Sequence, residues 1–134
     1  MNDISIGKKR IGEAHSCFII AEAGSNHDRK LAQAYRLIDI AKESGADAVK
    51  FQTYTAESLY SKKTPKPEYL KKKGLSSKDE TLWDVIKRIE MPREWHAKLK
   101  DYCSKNDIIF MSTPFDLRAV DELEEVGMLA YKIA

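Results

Sequence analysis

The chain has 134 residues, 43% of them hydrophobic and 33% charged, and a formal net charge of +2. That is enough for one ordinary domain with a real core, and the balance is too even to point to nucleic acid as a partner. No apolar stretch is long enough to span a bilayer, and the opening MNDISIGKKR lacks the apolar core of a signal peptide. With two cysteines, Cys17 and Cys103, far apart in the chain, the expectation is a cytoplasmic protein with reduced thiols and Cys17 used for packing.

The opening ISIGKKRIGE places two short apolar pieces around Gly-Lys-Lys and predicts a hairpin within residues 1–16. Cys17 to Ala21 is an apolar run that predicts a first buried strand. Leu31, Ala34, Tyr35, Ile38 and Ala41 share a face at spacings of three and four, which predicts a helix over 29–44, capped by Asn26 or Asp28 and ended by Gly45. Ala46 to Gln52 predicts a second strand. Residues 53–80 are polar, lysine-rich and hold Pro65 and Pro67, which predicts a long loop. Ser77 to Glu80 has capping-box spacing ahead of Leu82, Val85, Ile86 and Ile89. Pro92 suits the first turn of a helix carrying Trp95, Leu99 and Tyr102. Ile108 to Ser112 predicts a third strand. Asp116 can cap a helix with Leu117, Val120 and Leu123 on its apolar face and Gly127 beyond its end, and Leu129 to Ala134 predicts a fourth strand.

Strands apolar on both faces, alternating with helices, predict a parallel sheet covered by helices. A doubly wound sheet and a TIM (β/α)8 barrel both fit. Units of about thirty residues, of which eight need roughly 250, make this chain the first four β/α units of a barrel. Its last strand has no helix after it, so the chain reads as a fragment or as one whose free edge a partner covers.

Each predicted strand carries polar residues near its C-terminal end: Glu22 after the first, Lys50 and Gln52 on one face of the second, Ser112 and Thr113 on the third, Lys132 on the fourth. In parallel β/α folds ligands bind at that end. Two lysines, a serine and a threonine converging there make an anion site for a carboxylate or phosphate, with Glu22 as an acid–base group or counter-charge. The competing reading is a lysine–carboxylate pair that only ties two strands together. His27 has no second His or Cys at metal-site spacing, so it and Asn26 read as loop organisers or hydrogen-bonding ligand contacts. His96 reads as structural, and Trp83 and Trp95 as core. The stretch SKKTPKPEYLKKKG, residues 61–74, holds six lysines and Tyr69 and reads as a solvated loop on the ligand side.

FIIAEAGSNHD, GADAVKFQTY, FMSTPFD and AYKIA, in this order and spacing, resemble the N-terminal half of the sialic acid synthase family, which includes N-acetylneuraminate, legionaminate and pseudaminate synthases and spore-coat polysaccharide synthases. The resemblance covers about residues 15–134, and MPREWHAKL is similar to the helix before the third strand in several members. It implies a TIM barrel followed by a small antifreeze-like domain that reaches into a neighbouring subunit's site, hence a homo-oligomer. It implies condensation of phosphoenolpyruvate with a 2-acetamido sugar to a nine-carbon acidic sugar and phosphate, with a divalent metal, Mn2+ or Mg2+, polarising the aldehyde. By matching position, Glu22 resembles the active-site carboxylate, Lys50 the phosphoenolpyruvate lysine, and Thr113 and Lys132 further phosphoenolpyruvate contacts. Gln52 lies in the same motif, and Tyr54 falls where the sugar is expected.

The family's two metal-binding histidines come from later strands, so no metal ligand is expected in this chain, and the isolated chain is expected to be inactive. Two other readings stay open. Lys50 or Lys132 can form a Schiff base in an aldolase-type barrel, or the chain is a non-catalytic binding or assembly module whose free fourth strand pairs with another chain.

Overall fold

The computed structural model describes residues 3–68, 70 and 80–134. An antiparallel hairpin opens it: β1 (Ile4–Ile6) pairs with β2 (Lys9–Ile11) across a turn in which Gly7 has φ +60°. Then come β3 (Ile20–Gly24), α1 (Leu31–Glu43), β4 (Ala48–Thr53), the single turn α2 (Ala56–Leu59), α3 (Leu82–Ile89), a 3-10 turn (Arg93–Trp95) running into α4 (His96–Lys105), β5 (Ile109–Pro114) and α5 (Leu117–Glu125).

β3, β4 and β5 form a three-stranded parallel sheet in sequential order. The expected fourth strand does not form. Residues 129–134 contribute one isolated parallel bridge, Ser112 to Tyr131, beyond which the backbone is not paired in the sheet. Other details also differ from the sequence reading. The first sheet strand begins at Ile20, three residues later than the apolar run, and continues through Glu22 to Gly24. Cys17 is exposed and so does not pack. Thr81, not a residue of the Ser77–Glu80 box, caps α3, its hydroxyl accepting from Asp84 N while the Asp84 carboxylate accepts from Thr81 N. Ser77 and residues 71–74 of the lysine-rich stretch lie outside the described residues, as does Tyr69.

Alternation along the strands sorts the side chains. Ala21, Ala23, Val49, Phe51 and Phe110 join Ala34, Ile38 and Ala41 of α1 and Leu99 and Cys103 of α4 in the core. Tyr35 stacks on Tyr102 at 4.3 Å, and Tyr102 Oη donates to Asp39 Oδ1 at 2.9 Å, which fixes α1 against α4. On α5 the buried residues are Ala119 and Leu123, whereas Leu117 and Val120, expected on its apolar face, are exposed. The cap came out as expected: Asp116 Oδ1 accepts from Ala119 N at 2.7 Å. At the start of α1 neither Asn26 nor Asp28 caps. The N-cap is Lys30, without a side-chain bond, because Asp28 and Arg29 occupy a left-handed turn with φ of 48° and 53°.

Behind the sheet a buried polar chain joins strands to helices. Thr53 Oγ1 meets Ser112 Oγ at 2.8 Å and His96 Nε2 at 3.1 Å. Arg93 then bridges Glu122 at 2.8 Å and Asp116 at 2.7 Å. Burial pushes the His96 imidazole down from 6.5 to about 4, so it is neutral in the folded protein at neutral pH. Between those values the unfolded chain takes up a proton that the folded one refuses, so stability rises with pH through that window and falls on acidification. Denaturant unfolding between about pH 7 and pH 4.5 should therefore lose on the order of 2 kcal/mol through His96. His96→Gln should flatten that part of the profile. An unchanged pH slope in the variant would show that His96 does not carry it.

Candidate functional site

Glu22 and Lys50 are register partners on β3 and β4, on the face opposite Val49 and Phe51, and Lys50 Nζ donates to Glu22 Oε2. Their side chains differ in exposure, 11% for Lys50 against 52% for Glu22. An ammonium that is nearly buried needs a counter-charge, and the carboxylate supplies it while keeping one side open to solvent. The same row continues across the sheet: Lys50 is level with Met111, and Gln52 with Thr113. Glu22, Lys50, Gln52 and Thr113 thus share the inner face near the strands' C-terminal ends, as expected.

The loop after β3 is built to turn away at that point. Ala23 is out of register between the Glu22–Lys50 and Gly24–Phe51 pairs, and Gly24 follows with φ +56°. A Cβ on Gly24 would stand 3.5 Å from Glu22 Oε1 and in a backbone region that side chains avoid. Asn26 Nδ2 donates to Ala23 O at 3.0 Å and so stabilises the turn itself. Ser25 Oγ lies 2.6 Å from Tyr54 Oη and 3.5 Å from Gln52 Oε1, joining the loop after β3 to the end of β4. Tyr54 is only 3% exposed and sits edge-on to Phe115, and burial raises its pKa. It lines the wall of the site.

Of three expected members, Ser112 and Lys132 are placed differently, and His27 follows the loop-organising one of its two readings. Ser112 faces the helices, bonded to Thr53, and is not on the inner face with Thr113. His27 is fully buried against Trp95 and Phe51, with Nδ1 accepting from Arg29 N at 3.0 Å and its pKa lowered by burial. It organises the loop from behind and does not reach the site. Lys132 is exposed beyond the Tyr131 bridge. Tyr131 faces α5, its hydroxyl 2.5 Å from Glu124 Oε2, and Lys132 follows it outside any strand. Trp83, expected in the core, is half-buried on α3 under the ammonium groups of Lys62 and Lys87, at 5.0 and 5.8 Å from its ring centre.

Ser25 and Glu90 were missed. Ser25 stood inside a motif that drew the eye to its charged neighbours. Glu90 is 5% exposed; it pairs locally with Lys87 at 2.8 Å, but the partners that tie it to other segments, Ala56 N at 2.8 Å and Arg29 at 3.9 Å, are remote in sequence.

Among the described residues no group of three His, Cys, Asp or Glu is placed to hold a metal. His15 pairs with Asp3, and His27 and His96 are core residues. The described residues do not fit a metal. A cavity of about 480 Å³ lies at the other end of the sheet, between the hairpin and the ends of α1 and α4. Two of its lysines are already engaged, Lys9 with Asp47 at 2.8 Å and Lys42 with Asp107 at 3.5 Å. It is remote from Glu22 and Lys50. No described helix is long and apolar enough to cross a membrane.

A carboxylate–ammonium pair flanked by an amide and a hydroxyl, at the C-terminal end of a parallel α/β sheet, defines the class: an α/β protein with a polar site where such folds bind small molecules. Comparison with known proteins is specific. The model of the NeuB family matches residues 37–134, and the chain belongs to that family. It is 43% identical over 134 residues to the spore coat polysaccharide biosynthesis protein SpsE of Bacillus subtilis, covering all of this chain and 35% of that protein. It is 43% identical over 127 residues to the N,N'-diacetyllegionaminic acid synthase of Legionella pneumophila, covering 95% of this chain and 35% of that protein. Among solved structures, the N-acetylneuraminic acid (sialic acid) synthetase of Leptospira borgpetersenii in complex with citrate superposes with a TM-score of 0.80 at 32% identity, over 98% of this chain and 41% of that one. The chain spans about a third of the length of the curated relatives it matches.

Because Glu22→Gln keeps an acceptor for Lys50 Nζ but removes the counter-charge of a nearly buried ammonium, it should cost on the order of 2 to 3 kcal/mol in denaturant unfolding without preventing folding. A variant that fails to fold would make the pair a strand-to-strand tie before anything else.

Proposed function

We propose that the chain is the N-terminal part of an enzyme that condenses phosphoenolpyruvate with a 2-acetamido sugar, giving a nine-carbon acidic sugar and phosphate. The single observation that carries this reading is the Glu22–Lys50 pair on the inner face at the strand ends, in register with Gln52 and Thr113. In this reading C3 of phosphoenolpyruvate attacks the sugar aldehyde, water adds at C2, and the tetrahedral intermediate expels phosphate. Lys50, Gln52 and Thr113 supply a positive charge and two hydrogen-bonding groups for the anionic substrate, with Lys132 as a further contact. Glu22 is the acid–base group beside the reacting carbons, open enough to reach substrate. Tyr54, held by Ser25, borders the sugar.

A complete barrel, a divalent metal (Mn2+ or Mg2+), a homo-oligomeric state and a cytoplasmic location belong to this proposal for a protein of the relatives' full length. The described residues supply no ligand set for the metal. The chain by itself is therefore expected to lack turnover. Names of relatives support the choice of reaction class, since they include legionaminic and pseudaminic acid synthases.

In a protein of the relatives' full length carrying these residues, Glu22→Gln should lower turnover by at least about 100-fold with the circular dichroism spectrum unchanged. Undiminished turnover would return Glu22 to a structural role. The isolated 134-residue chain should release no phosphate from phosphoenolpyruvate and an acetamido sugar. Measurable release would show that the third of the protein described here suffices. Borohydride with pyruvate should leave Lys50 unmodified, and a trapped adduct would point to Schiff-base chemistry instead.

A further inference from the structure

Glu90 follows the last turn of α3 and is 5% exposed. A buried carboxylate is costly unless its oxygens are engaged. Here Oε2 accepts from Ala56 N at 2.8 Å, the first amide of α2. Oε1 lies 2.8 Å from Lys87 Nζ and 3.9 Å from the Arg29 guanidinium. Arg29 also donates from Nη1 to Lys87 O at 3.0 Å, and its backbone N–H donates to buried His27. So one carboxylate touches the loop after β3, the segment after β4 and the end of α3.

The two loops it joins are those whose hydroxyls meet at the site, Ser25 with Tyr54 at 2.6 Å. The loop after β3 also holds Asp28 and Arg29 in left-handed conformations, which persist only where neighbours impose them. His27 behind and the Glu90–Lys87 cluster beside are the neighbours that do so.

We infer that Glu90 is a positioning residue that couples the loop after β3 to the segment after β4, so that Ser25 and Tyr54 hold one wall of the site together. Its meaning for catalysis rests on the function proposed above, whereas the coupling itself does not. Arg29 reads the position of one loop, Ala56 N that of the other, and Glu90 carries the information between them. Glu90→Gln keeps an acceptor for Ala56 N and removes the charge that engages Arg29 and Lys87.

Amide hydrogen exchange followed by mass spectrometry tests this on the chain itself. Arg29→Met changes a side chain of the loop after β3 that touches α3 but not α2, yet exchange in residues 56–59 should rise at least about threefold. In a Glu90→Gln background the same change should add nothing there. Residues 110–112 in β5 serve as the control and should stay as protected as in the unaltered chain. The inference fails if the effect of Arg29→Met stops at residues 25–30, if it adds in full to that of Glu90→Gln, or if β5 loosens equally. Should Glu90→Gln not fold, Glu90→Asp, which keeps the charge but shortens its reach, is compared in the same cycle. Loss of phosphoenolpyruvate chemistry in the full-length protein would not alter these outcomes, and an absent coupling would not alter the roles given to Glu22 and Lys50.

Discussion

Lys50 is an ammonium on a nearly buried position of a central strand, and everything at the strand ends follows from the need to compensate it. The compensation comes from Glu22, one strand away in parallel register. A shift of that register by one residue would turn Glu22 toward α1 and leave Lys50 without its partner. The chain therefore couples the most ordinary property of a parallel sheet, its pairing, to the placement of the two charges that the site uses. The bulge at Ala23 and the left-handed Gly24 release the strand immediately after the pair is made.

The rear of the sheet is built to guard that register. Val49, Phe51 and Phe110 supply the apolar packing. Thr53 and Ser112 add a polar tie between β4 and β5 that His96 completes from α4. Polar groups placed this deep contribute little net stability, but unlike an oily contact they are satisfied in only one arrangement. The Arg93 pairs with Asp116 and Glu122 then fix the start of α5 to the same layer.

Much of this was legible in the amino-acid order. The apolar periodicity of Ala34, Ile38 and Ala41, the Asp116 cap and the alternation of Lys50 and Gln52 are local signals, and each describes the folded chain. Glu22 stood out because a carboxylate at the end of an apolar run is unusual. Alternation within a strand separates adjacent residues, so Ser112 and Thr113, grouped as one site by composition, lie on opposite faces. Local order does not carry pairings between distant segments: Glu90 with Ala56, or Ser25 with Tyr54, have no spacing to betray them. The run 129–134 has strand composition, but in the described structure it makes one bridge only, because composition names a preference and a neighbouring backbone makes it real.

The two tryptophans occupy unlike surroundings. Trp95 is 8% exposed beside His27, while Trp83 is half-buried beneath two ammonium groups. Intrinsic fluorescence of this chain is therefore a sum of two reporters, one sensing the packed interior behind the sheet and the other sensing Lys62 of the segment after β4 and Lys87 of α3. A spectral change that leaves the interior emission untouched would report rearrangement where α3 meets the segment before it, which makes the native protein its own optical probe of motion there.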